Sequence, residues 1–273
     1  MTKQPQPRGS VAWLTAAHWT CLALFLALLG LVAAEAAAAI HLPENSGWPE
    51  AALLLAATAS ILISLCRELP GQNVFWAAVI IALISGFAQA VGARTGIPFG
   101  PYFYTRAAGP RVLDTLPWWI PLIWVVTILN SRGVARLILR PWRKTRRYGF
   151  WLIGLTAALA LVFDLGLEPF ATRVKSYWLW SPTKLGLSWY GAPVIDSLGW
   201  AVTTVLILAF ITPFLINKNP VKHPPDFHPL VLWVLLNLLF VATTAGHRFW
   251  PAVVFSSGAV LFAAIFAARG AKG

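Results

Sequence analysis

From Gly149 to Leu167 the chain reads GFWLIGLTAALALVFDLGL, an apolar run whose one charged residue is Asp164. As a helix, about 20 such residues cross the roughly 30 Å hydrocarbon core of a bilayer. The run is too long and too uniformly apolar for a strand, with no alternation of period two. Seven further segments meet or approach the same length: roughly 13–40, 50–66, 73–93, 116–131, 194–216, 229–246 and 249–268. Only Gly246-His247-Arg248 separates the last two. They are expected to form a tight helical hairpin; read as one broken unit, they reduce eight spans to seven.

The fold class is therefore all-α: a polytopic transmembrane bundle of seven or eight spans, 1–273, with no polar linker dividing it. Composition agrees, with 58% hydrophobic and 11% charged residues against about 25% charged in a soluble domain. The first apolar segment exceeds the length of a signal h-region and ends at no small-residue cleavage site, so no removable leader is expected. Cys21 and Cys66 both sit in apolar segments, which argues against a disulfide framework or a zinc site.

The net charge of +12 follows topology rather than nucleic-acid binding, which is not expected. With the N-terminus inside, the inner segments hold Lys3, Arg8, Arg67, the cluster Arg132–Arg147, Lys218, Lys222, Arg269 and Lys272, 14 of the 21 basic residues. The positive-inside rule then places both termini in the cytoplasm of a cell-membrane protein, beside anionic lipid. Arg132, Arg136, Arg140 and Lys144 recur at every fourth residue and share a helical face. The stretch is expected to turn along the inner surface as a topology anchor, the alternative being a docking face for a partner enzyme. Pro220, Pro224, Pro225 and Pro229 mark the next inner connection as irregular.

Two outer loops are too rich to be connectors. The first, Gly92-Ala-Arg-Thr-Gly-Ile-Pro-Phe-Gly-Pro-Tyr-Phe-Tyr-Thr105, combines glycine, proline and aromatic residues. It reads either as a re-entrant loop roofing a cavity or as an interfacial aromatic belt. The second runs from Phe163-Asp164-Leu-Gly-Leu-Glu168-Pro169 through Tyr177-Trp178-Leu-Trp180 and Trp189-Tyr190-Gly-Ala-Pro193 to Asp196-Ser-Leu-Gly-Trp200. Asp164 and Glu168 are four apart, hence on one helical face, and Asp196 opens the sixth span. Acids inside a membrane segment are costly and point to function. Topology brings Glu35 and Gln89 to the same leaflet, so four acids and an amide are expected to converge, with Arg94, Arg106, Arg111 and Arg173 near enough to pair with them.

These motifs resemble the carotenoid biosynthesis membrane proteins that include the carotenoid 1,2-hydratases of the bisanhydrobacterioruberin and γ-carotene type. The residues carrying the resemblance are Gly92–Thr105, Asp164–Pro169, Tyr177–Trp180, Tyr190–Pro193 and Leu198–Trp200, within a family-like core of about 73–216. Three departures stand out. Gln89 occupies the place of a family Glu, Glu168-Pro169 replaces Asp-Pro, and the family's Asn near Asp196 is missing.

The resemblance implies a hydro-lyase without metal or other cofactor, adding water to the terminal double bond of an acyclic (ψ) carotenoid end group. Its chemistry needs a carboxylic acid to protonate the alkene, a second group to orient water, and aromatic faces to shield the carbocation. Asp164 is the expected acid, Glu168 the residue that orients water, and Asp196 the next candidate. Gln89, Arg94, Thr95, Pro98, Phe99, Tyr102, Tyr104, Trp178 and Trp180 are expected to contact the polyene or other isoprenoid lipid. The competing reading is a non-catalytic membrane protein that binds lipid or pigment, or scaffolds other carotenoid enzymes. A prenyl-diphosphate enzyme is disfavoured, because the acids are too sparse to hold magnesium against a diphosphate.

Overall fold

The computed structural model describes residues 8–37, 48–182, 186–216 and 225–272. Among them are eight long helices: α1 (Arg8–Ala36), α2 (Trp48–Cys66), α3 (Gly71–Thr95), α4 (Ile120–Ile138), α5 (Tyr148–Pro169), α6 (Val194–Ile211), α7 (His228–Gly246) and α8 (Trp250–Lys272). All eight are long and apolar enough to cross a membrane. The protein is a multi-pass helical membrane protein, and the count is eight rather than seven, because α7 and α8 are separate helices meeting at His247–Phe249.

Helix α4 occupies the middle of the bundle, packed against α2, α3, α5, α7 and α8. Its spanning window is 78% buried, against 17% for α1, which lies at the periphery on α2 and α7. Lipid tails are as apolar as leucine, so packing and internal hydrogen bonds hold such a bundle together. Thr156, Asn130 and Asn237 each bond back to a carbonyl four residues earlier, satisfying polar atoms within their own helices. At one end of the bundle Ser60 Oγ meets His228 Nε2 at 3.1 Å and Ser64 donates to Asp226 at 3.1 Å, fastening α2 to the start of α7.

The basic stretch departs from expectation. Helix α4 continues straight through Arg132 and Arg136 to Ile138 instead of turning out along the surface. Arg132 is buried and donates to the Leu215 carbonyl at 3.0 Å, while Arg136 pairs with Glu68 at 3.4 Å. The helix ends at Ile138, and Arg140–Trp142, with Pro141 at its centre, forms a short 3-10 turn. Lys3, Lys218, Lys222, Pro220 and Pro224 lie outside the described residues.

The loops at the other end contain strands, which reading the chain as helices alone did not anticipate. They are β1 (Tyr102–Tyr104), β2 (Arg111–Val112), β3 (Leu116–Pro117), β4 (Trp178–Trp180), β5 (Ser188–Trp189) and β6 (Ala192–Pro193). Strands β2 with β3 and β5 with β6 form local antiparallel pairs. The long-range pair is β1 with β4, antiparallel, with Tyr102 opposite Trp180 and Tyr104 opposite Trp178. This pair joins the α3–α4 loop to the α5–α6 loop, so both lie on the same face of the bundle.

Candidate active site

The β1–β4 ribbon turns its aromatic residues inward by simple alternation. Side chains of successive strand residues point to opposite faces, so Tyr102, Tyr104 and Trp178 are buried while Phe103 and Leu179 are exposed. Each strand then fastens a polar residue of a neighbouring span. From β1, the hydroxyls of Tyr102 and Tyr104 donate to Gln89 Oε1 of α3 at 2.6 and 3.0 Å. Burial pushes both phenols well above their ordinary range, so they remain O–H donors. From β4, the indole N–H groups of Trp178 and Trp180 donate to Glu168 Oε1 of α5 at 3.1 and 2.5 Å.

Phe99 sits under the first loop, between two glycines. A Cβ on Gly92 would come within 2.8 Å of its ring, and one on Gly199 within 2.6 Å. Glycine at both positions lets α3 and α6 close on the Phe99 ring from opposite sides.

Helix α5 carries its own irregularity at the site. Pro169 has no N–H, so the carbonyl four residues earlier, on Leu165, loses its helical donor. Trp189 Nε1 supplies a donor instead, at 2.8 Å. A five-residue π-helical turn, Phe170–Val174, follows and leads into Lys175.

Three carboxyl groups meet beneath the ribbon. Asp164 and Glu168 are one helical turn apart on α5, and Asp196 lies in the first turn of α6. An oxygen from each lies within 4.8 Å of the others, and all three residues are buried. Neither oxygen of Asp164 has a hydrogen-bond partner. Glu168 and Asp196 line a cavity of about 30 Å³, together with Gln89, Phe99, Trp124 and Trp200 among others. That volume holds about two or three water molecules (about 10–15 Å³ each on this measure). The rings of Trp124 and Trp200 stack 3.9 Å apart in its wall. The same three carboxyls have the spacing of an oxygen-ligand set for a hard cation such as Mg²⁺, although Glu168 already accepts two indole donors.

The expected convergence is thus met by Asp164, Glu168, Asp196 and Gln89 but not by Glu35. Glu35 instead pairs with Lys175 at 2.9 Å, and Lys175 also holds Glu50 at 2.6 Å. Burial alone would lower the Lys175 pKa, but hydrogen bonds and charge from Glu50 and Glu35 raise it overall. Of the arginines expected beside the acids, Arg94 bonds Thr115 Oγ1 at 2.7 Å and Arg111 the Tyr104 carbonyl; Arg173 donates to the Tyr190 carbonyl, close enough for its charge to act on Glu168. Of the residues expected to contact substrate, Gln89, Phe99, Tyr102, Tyr104, Trp178 and Trp180 line the cavity. Arg94, Thr95 and Pro98 do not; Thr95 Oγ1 bonds the Val91 carbonyl and accepts the Ile97 N–H, closing the end of α3. Trp124 and Trp200 were missed as site residues, since a tryptophan within an apolar span carries no signal separating cavity wall from lipid face.

Fold and site together define a class: a multi-pass membrane protein with a buried carboxyl cluster under an aromatic roof. Residues 50–264 match the model of the carotenoid biosynthesis protein family, and the chain belongs to that family. It is similar to a bisanhydrobacterioruberin hydratase of Haloarcula japonica, at 29% identity over 137 residues. That match covers 49% of this chain and 43% of the relative, so it spans less than half of the hydratase. No solved structure matches the chain.

Proposed function

We propose that this protein hydrates the terminal double bond of an acyclic (ψ) carotenoid end group by acid catalysis, without a cofactor. The observation that carries the reading is the pair of unlike carboxyls, Asp164 and Glu168, in one buried cluster beneath the aromatic ribbon. Asp164 is buried with no hydrogen-bond donor, whereas Glu168 is held by two indole N–H groups. A carboxylate that accepts donors is favoured in its charged form, and a buried one without them is not. Two acids in unlike surroundings can divide acid and base work.

In this mechanism Asp164 is the proton source, and Asp196, which faces the cavity, delivers the proton to the less substituted alkene carbon. The π electrons form the new C–H bond and leave a tertiary carbocation. The ring faces of Tyr102, Trp180, Trp124 and Trp200 stabilise it by cation–π attraction. Water attacks the cation, and its surplus proton passes to Glu168. Transfer back within the carboxyl cluster resets the site, so the net change is addition of one water. A hydrophobic isoprenoid entering from the bilayer fits the apolar surroundings.

The second reading is a non-catalytic protein that binds pigment or scaffolds other carotenoid enzymes. Gln89 favours it, because an amide stands where the resemblance implies a Glu. Expression in a host that accumulates acyclic carotenoids separates the two. The hydratase reading expects a tertiary alcohol one water heavier than the precursor, retained after exhaustive chelation. An unchanged pigment profile with the protein correctly inserted supports the second reading. Loss on chelation with recovery on Mg²⁺ would make the carboxyls metal ligands.

A further inference from the structure

Beside the carboxyl cavity lies a second one, of about 40 Å³, lined by α2, α4, α5, α7 and the segment Phe170–Trp178. Its walls include Leu53, Val126, Phe163, Leu236, Leu239 and Phe240. Ile123, Leu167 and Trp178 face both cavities, so the two lie side by side along those residues. We infer that this apolar chamber seats the uncharged isoprenoid chain adjoining the double bond presented to Glu168 and Asp196, and so selects substrates by their chain. The inference deepens the hydration reading and rests on it for the position of the reacting end.

Three observations choose the occupant. The walls are almost entirely hydrocarbon and ring, which do not hold water; an unfilled apolar void costs stability, so hydrocarbon is the occupant that fits. The Phe163 and Phe170 rings lie 5.3 and 5.5 Å from that of Phe240, giving an aromatic lining suited to a methyl-branched, unsaturated chain. The polar groups at its edge are the Tyr177 hydroxyl and Glu50, which with Glu35 is bound to Lys175. Two carboxylates against one ammonium leave that edge net negative, which repels phosphate and carboxylate headgroups. A phospholipid or a prenyl diphosphate is therefore disfavoured, and an uncharged isoprenoid is accepted.

The test uses the full-length protein in detergent with a photoreactive isoprenoid, bearing a ψ end group and a diazirine on the adjoining chain. Adducts mapped by mass spectrometry are expected on the Leu236–Phe240 segment of α7, and an acyclic carotenoid should compete them away. Adducts confined to outward-facing residues such as Leu83 and Phe87, both exposed, would overturn the inference. A second measurement fills the chamber with Leu239→Trp or, should that variant fail to insert, Val126→Phe. The ratio of turnover on a long-chain substrate to that on a short-chain one is expected to fall at least tenfold. An equal loss on both would also overturn it. Failure of the hydration reading looks different: the chamber is labelled and competed, yet wild type forms no alcohol. Alcohol formed without chamber labelling overturns the chamber alone.

Discussion

At the scale of the residue, the proposed hydration turns on which carboxyl gives the proton and which receives one. Asp164→Asn keeps size and removes the acid, and Asp196→Asn does the same at the cavity face. General acid catalysis is worth about 10²–10⁴-fold, so each variant should lose at least that much hydration, measured by chromatography of extracted pigment, while still inserting. Near-normal turnover in Asp164→Asn with a dead Asp196→Asn would move the proton source to α6. Gln89 poses a separate question. Its Oε1 takes two tyrosine hydroxyls, and a glutamate there could accept the same two bonds. Gln89→Glu is therefore expected to fold normally and to change turnover less than tenfold. A silent wild type that gains hydration in Gln89→Glu would instead put the acid on α3.

At the scale of the element, α5 and the turn after it carry most of the site. One helix supplies Asp164 and Glu168, the Pro169 gap is covered by Trp189, and the π-helical turn ends beside Lys175. Lys175 links that turn to Glu35 of α1 and Glu50 of α2. Breaking a buried ion pair by removing one partner costs roughly 3–5 kcal/mol. These side chains are 9–22% exposed, so Lys175→Met should cost toward the low end, about 3 kcal/mol, read as earlier thermal unfolding in detergent. Adding Glu35→Gln and Glu50→Gln should restore much of it, because no uncompensated charge is then left. The i, i+4 spacing of Asp164 and Glu168 made their shared face legible in the sequence, and hydropathy alone marked the spans. The ribbon was not legible. Tyr-Phe-Tyr and Trp-Leu-Trp are apolar at every position, so no alternation betrays which residues face in. Lys175 was equally hidden, since its partners come from two helices remote in the chain. Arg132 followed a surface-like period of four, yet a carbonyl of the segment following α6 holds it inside.

At the scale of the whole molecule, eight spans put the start of α1 and the end of α8 on the face opposite the β1–β4 ribbon. The positive-inside rule expects that face to be the cytoplasmic one. Reporter fusions after residue 110 and after residue 145 should read outside and inside respectively, and a cytoplasmic signal at 110 would invert the protein. The carboxyl cluster belongs to one end only. Glu168 lies in the last turn of α5 and Asp196 in the first turn of α6, both beneath the paired loops. A polyene with a reactive group at each terminus can thus bring only one terminus to the cluster at a time. If the proposed hydration holds, the new hydroxyl is expected to anchor that terminus among the headgroups, leaving the untouched one toward the opposite leaflet. The molecule must leave and turn over before it can react again. On the proposed hydration, conversion is expected to be distributive rather than processive: the mono-alcohol should accumulate early in a time course and pass slowly to the diol, and simultaneous appearance of both would contradict this one-ended geometry.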